Sequence, residues 1–483
     1  ISTGAVDAWL GYTTLNKEDE GYLYAKMPNP NISSVDFSSS TLTVVGQIEL
    51  GAGGVTGSAS TISVDNLNDG GGVAISTAFF EGYDVDRYSV HYGGSTGIGT
   101  VTDSSFELLE NGSRARFTGL IPSDNNTVIN VTAKKQGIQS KLKTYERSNI
   151  KNIVFSKYSK SGSGINTSVN DGLTYNGNAY GLRVQDEQIS LDVPDVVKVL
   201  SVYESLDGGQ PSFDNITFSA TANVGTNAII GENIVGQSSN AIARIVTNNG
   251  STPSSGGTNK LGIVYLNDRK FVNYENVVFE ESNITTTIEG INTLDTDGKY
   301  QDVTKSFSLD KGQRDQFYDY SRLVRRSNTS VPSKRLLVVY DRYDVPATDN
   351  GDVFTVLSYD KARYLRDIPL IGRENVRATD TLDFRPRVSV FSSTTTSPFD
   401  FTSRTSAFNT APKFLLASNE SSLLGYDYYL GRIDKVYLSE YGILTIQKGQ
   451  SSSDPRPPVS INNSMELATI ILPPYLYNPD NAK

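Results

Sequence analysis

The sequence predicts an all-β, multidomain protein in which β-sandwich modules run in series, joined by extended linkers and closed by a β-rich C-terminal domain. Three observations predict it. The chain has 483 residues, room for about three to four domains of roughly 100–200 residues each. Its apolar runs are short, rich in Val, Ile, Tyr and Phe, and alternate with polar residues, which is the pattern of a half-buried strand. Glycine (42 residues), Ser, Thr and Asn separate the runs as turn residues do. With 37% hydrophobic and 10% aromatic residues, several small cores can be filled and long disorder is disfavoured.

The elements follow in order. Residues 1–32 contain Pro28 and Pro30 and few strand signals, so they read as an extended N-terminal arm. Trp9, Tyr22, Tyr24 and Met27 give this arm an apolar set without a core of its own. They are expected to dock on another subunit or another protein rather than on the chain's own sandwich. Residues 33–147 hold "TLTVVGQIEL", "VAISTAFF", "DRYSVHY", "SRARFTGL" and "TVINVTAKK", short strands at the spacing of a sandwich. Residues 148–210 form a β-rich connecting domain around "LTYNGNAYGLRV" and "DVVKVLSVYES". Residues 211–294 read as a module of consecutive hairpins. Glutamate-bearing turns recur in its two halves, at Gly231-Glu232-Asn233 and Tyr274-Glu275-Asn276. Residues 295–483 form the C-terminal domain, with a hairpin turning at Glu440-Tyr441-Gly442.

Composition also excludes. A net charge of −10 disfavours nucleic acid as a partner. No apolar run approaches the roughly 20 residues of a membrane helix. The chain opens at Ile1 with no charged-then-apolar leader, so a trimmed or processed piece is expected. Cysteine is absent and His91 is the single histidine, which removes thiol nucleophiles, zinc fingers and iron–sulfur sites. No cofactor is expected. The surviving chemistry is carboxylate-based: glycosidase-like pairs, or calcium and magnesium binding.

Three stretches and one histidine bear on that chemistry. In "DTLDFRPRV", Asp380 and Asp383 stand beside Arg385 and Arg387. Two carboxylates about 5–10 Å apart would suit glycoside hydrolysis. In an extended strand, however, residues three apart face opposite ways, while the two arginines share a face. The expected reading is therefore a structural ion-pair cluster, with the arginines held by acids of neighbouring segments such as Asp427 or Asp434. "LDTDGKY" (294–300) alternates Asp295 and Asp297 before Gly298 but lacks the further ligands of a calcium loop, and "NLNDGGG" (66–72) reads likewise as a turn. His91, alone, reads as a surface or packed residue. No catalytic or metal site is expected.

Several of these stretches also carry a resemblance. "KGQRDQFYDYSR", "GDVFTVLSY", "DTLDFRPRV", "YYLGRIDKVYL" and "LATIILPPY", in this order, resemble a domain of tail and baseplate proteins of contractile-tailed phages, including cyanobacterial myoviruses. The 231–282 hairpin unit is similar to modules inserted in the same class. "RFTGLIP", followed by "TVINVTAKK", together with "DRYSVHY", resembles the end and the central strand of a fibronectin type III domain. The resemblance implies a virion protein, a baseplate wedge or tail-fibre attachment component. It would act by assembly with other tail proteins and as a homo-oligomer, a trimer in first place. The alternative is a receptor-binding fibre or tailspike recognising host-surface glycan, and behind it a depolymerase.

Overall fold

A computed structural model of the chain describes residues 8–17, 22–50, 57–67, 78–92, 97–122, 127–157, 172–174, 178–248, 259–292, 300–372, 374–406, 414–476 and 482. Antiparallel strands dominate, 49% of the described residues against 8% in helix, and the protein is all-β and multidomain.

The first sandwich is built on the 19-residue strand Ile32–Leu50. Its second half pairs with Thr127–Lys135, whose Ile129, Val131 and Ala133 are fully buried at alternate positions. Its first half pairs with Glu420–Tyr429, which in turn pairs with Ala8–Lys17. Ala59–Ser63, Arg114–Thr118 and Phe106–Leu109 make the facing sheet. Both sheets contribute to one core, and Leu424 and Tyr426 from the far end of the sequence enter it. The sandwich expected over 33–147 is therefore discontinuous and incomplete without residues beyond 400.

The arm expectation is overturned. Ala8–Lys17 is a strand of the chain's own sheet, with Trp9 in register with Tyr428. Tyr24–Lys26 pairs with Thr381–Asp383. Tyr24 and Met27 are buried, and Met27 joins the sandwich core, while Tyr22 packs beside Tyr24. The short strand Thr381–Asp383 pairs with the arm on one side and, through Asp383, with Phe354 on the other, so the arm satisfies part of its backbone hydrogen bonding.

The boundaries expected at 147/148 and 294/295 are likewise crossed. Thr144–Ile153, Leu336–Asp344, Val196–Ser205 and Tyr300–Asp302 form one sheet. Gln188–Pro194, Tyr320–Arg325 and Phe307–Asp310 form another. Together they enclose a second core.

Between Val196–Ser205 and Tyr300–Asp302 the chain makes a closed six-stranded barrel, in spatial order Asp214–Phe218, Asn259–Tyr265, Ile242–Asn248, Asn233–Gly236, Asn276–Phe279 and Thr285–Asn292. It occupies the span expected for the hairpin module, but closure joins first strand to last. The two halves obey a pseudo-two-fold axis. Gly231 N–H donates to Ile245 O as Tyr274 N–H does to Ile288 O, both at 2.9 Å. Glu232 accepts from Glu281 and Ser282 N–H, and Glu275 accepts from Ser238 and Ser239 N–H. Each half thus caps the turn of the other.

Candidate functional site

The "DTLDFRPRV" stretch ends up wholly inside the protein. Asp383 and Arg385 are 0% exposed and Arg387 1%. Thr381–Asp383 is a strand, and the Arg385 side chain, two residues along on the same face, lies against Asp383. The Arg385 amide donates to Asp383 Oδ1 at 3.0 Å, Nε to the same oxygen at 2.9 Å, and Nη2 to Oδ2 at 2.8 Å. The remaining guanidinium protons reach Arg314 O at 2.7 Å and Gln313 Oε1 at 2.9 Å. A bidentate pair with all its edges satisfied is the form in which a buried ion pair is tolerated.

Around this pair the fold collects groups from five segments. The Tyr318 hydroxyl donates to Asp383 Oδ2, and the guanidinium of Arg385 lies 4.1 Å from the centre of the Tyr318 ring. Lys143, from the link between the two sandwiches, donates to Asp195 at 2.7 Å, Tyr359 at 2.9 Å and Tyr318 at 3.0 Å. The Tyr318, Phe354 and Tyr359 rings surround its ammonium at 4.5–4.8 Å, a cation–π cage. Asp195 stands in the left-handed region, φ 62°, at the tight turn between two strands, and also accepts from Gln313. Arg387 donates to Tyr343 O at 2.9 Å and lies 3.7 Å from Asp344.

The electrostatics follow from this packing. Burial pushes the Lys143 amine down to about 8, against the pull of Asp195. Burial works against the Asp383 carboxylate too, but the charge of Arg385 and its hydrogen bonds prevail and hold it below the ordinary carboxylate range. Tyr318 and Tyr359 are raised well above the usual phenol range, first by desolvation. Asp380 behaves differently: desolvation raises it.

The four residues named from the sequence thus divide. Asp383 and Arg385 form one pair, Arg387 lies alongside it against Tyr343 and Asp344, and Asp380 stands apart, accepting from Ile32 N–H at 3.3 Å. The expected partners are corrected: Asp427 accepts from Ser34 and Asp434 from Arg432. The stretch supplies its own acid because Asp383 and Arg385, two residues apart, share a face.

Sequence reasoning missed Lys143, Asp195 and a second buried acid, Asp341. That acid accepts from barrel residue Arg244 at 2.6 Å, from Tyr145 at 2.9 Å and from Ser148 N–H at 2.9 Å. An acid inside the apolar run "RLLVVYDRY" was the available signal, since a buried charge needs a partner.

Asp383 is locked to Arg385 and sealed from solvent. No group of three or more potential metal-ligating side chains occurs among the described residues. Asp295 and Asp297 lie outside those residues, as does most of the 66–72 stretch. His91 sits on an edge hairpin, 3.2 Å from Ser89 Oγ. Comparisons with protein families, with characterised proteins and with solved structures give no match.

Proposed function

We propose that this protein is a structural component of a phage tail, a baseplate wedge or fibre-attachment protein, that works by protein–protein assembly. One observation carries the reading. Three of the stretches that bear the resemblance meet at the buried cluster: Gln313 and Tyr318 from "KGQRDQFYDYSR", Phe354 and Tyr359 from "GDVFTVLSY", and Asp383, Arg385 and Arg387 from "DTLDFRPRV". What these motifs build is a rigid junction, not an accessible reactive site. Such a junction suits a part that transmits load between modules, because a buried, densely hydrogen-bonded polar network fixes one geometry.

The test is localisation in the particle. An antibody raised against the chain should decorate one end of the tail in micrographs, and the chain should appear at fixed stoichiometry in purified particles. Its absence from purified particles would refute the virion reading. Loss of labelling on binding to isolated host glycan would favour the receptor-binding fibre instead.

A further inference from the structure

The C-terminal sheet, Leu444–Gln447, Arg432–Ser439 and Ser464–Leu472 in that spatial order, is two-faced. Cross-strand pairs share a face, so the register sorts the side chains. On one side, Lys435 lies opposite Gln447 and Thr469, and Tyr437 opposite Thr445 and Glu466. That face is polar over this stretch and tied by the Lys435–Glu466 ion pair at 2.9 Å, with Ile433 and Ile471 paired at its end. On the other, Val436 lies opposite Ile446 and Ala468, and Leu438 opposite Leu444 and Met465, while the paired Arg432 and Asp434 bound it at the start of the strand. This apolar face is open: Leu444 is 64% exposed, Ile446 56% and Met465 67%. A sheet with one apolar face buries it against something.

We infer that this face packs against the same face of a second copy of the chain. Charge argues for a copy. The protein carries −10 overall, so identical surfaces generally repel. Between 432 and 472, however, Arg432, Lys435, Lys448 and Arg456 balance Asp434, Glu440, Asp454 and Glu466. Like surfaces can meet there without that repulsion, and a self-complementary apolar patch closes about a rotational axis.

Area sets the strength. Strands of 8, 4 and 9 residues give a footprint of about 340 Å² at about 3.4 Å rise and 4.8 Å spacing. Two such faces, roughly 700 Å², fall short of the ~1,000 Å² of a lasting interface. The exposed Tyr441 and Ile443 of the adjoining turn extend it. The association is therefore reversible, on the order of micromolar, and grows firm only where other contacts hold the copies together. This deepens the assembly reading, and rests on it only for the expectation that copies meet.

The experiment is the solution mass of the full chain across a concentration series. A dimer that dissociates on dilution is expected, because a face that meets its own copy closes about a two-fold axis. Leu444→Lys with Ile446→Lys should raise the dissociation midpoint at least tenfold, whereas Thr445→Lys on the polar face should leave it unchanged. The native chain has no cysteine, so single substitutions report contact independently of stability. Ala468→Cys should cross-link between copies through a short bis-maleimide, and Thr445→Cys should not. A wild type that stays monomeric, or an oligomer indifferent to the lysine pair and cross-linked equally from both faces, overturns the proposal. A monomer would assign the face to a different protein and leave the chain's presence in particles, measured separately, untouched.

Discussion

At the scale of the residue, the decisive fact is that the most deeply buried charges are paired, and that Arg385 is paired most completely. Arg385 shows this best, with its guanidinium divided between Asp383, Gln313 and the Arg314 carbonyl. Arg385→Ala leaves Asp383 ionised in a dry site, and breaking a buried pair on one side costs about 3–5 kcal/mol. The loss should appear as a lower denaturant midpoint at unchanged slope. Arg385→Lys keeps the charge but loses the fork, so it should recover only part of that loss. Replacing both partners, Asp383→Leu with Arg385→Met, should restore most of it, because no orphaned charge remains. A single Arg385→Ala variant as stable as wild type would show that the pair fixes nothing. The sequence made a cluster of acids and arginines legible, but its reading sent the arginines to Asp427 or Asp434 and so missed the Asp383–Arg385 pair. The strand rule used to separate Asp380 from Asp383 did not apply, because Asp380 closes a 3-10 turn ahead of the strand. The available signal was the two-residue spacing of Asp383 and Arg385, which puts acid and base on one face.

At the scale of the element, the barrel shows how a weak repeat becomes strong in three dimensions. In sequence the two halves share little beyond "EN" and "SN" at matched places, Glu232-Asn233 with Ser239-Asn240 and Glu275-Asn276 with Ser282-Asn283. In space those positions are the parts that turns demand. Asn240 and Asn283 take left-handed φ of 52° and 56°, tolerated by Asn, and each glutamate gathers amides across the two-fold. Glu232→Ala should therefore deprotect the amides of Glu281 and Ser282, and Glu275→Ala those of Ser238 and Ser239, in hydrogen exchange of the full chain. Each part-buried donor stranded this way costs about 1–3 kcal/mol, so both variants should also unfold more readily. Faster exchange confined to the mutated residue's own turn would refute the crossed capping. Hairpins were legible from period-two alternation; closure was not, because pairing of the first strand with the last carries no local signal.

At the scale of the whole molecule, the chain is folded back on itself rather than strung out in series. Alternation identified the strands, and turn residues their ends, but neither says which distant strand is a neighbour. The expected arm and the four later spans followed sequence order, whereas the sheets follow complementarity of edges and faces. Glu420–Tyr429 is the clearest case, since it lies between Ala8–Lys17 and Ile32–Leu50. It delivers Leu424 and Tyr426 to the first core, and its Glu420 grips Arg87 through both carboxylate oxygens. A chain ending at residue 413 would lose a central strand, leaving the backbone of Ile32–Thr41 without its partner and the core open on that side. Removing large core side chains costs about 2–5 kcal/mol each, and three go at once, Phe414, Leu424 and Tyr426, against a total stability of only about 5–15 kcal/mol for a domain. The truncated protein should therefore have an unfolded N-terminal sandwich, seen as rapid amide exchange over 32–48 and 127–135. The barrel should stay protected, because its strands close on one another and enclose their own core. Retained protection across 32–48 in the truncated chain would mean that the N-terminal strands form a complete domain. Loss of barrel protection as well would mean that the molecule unfolds as one unit, and that the buried charges at Asp341 couple its parts more tightly than the separate cores suggest.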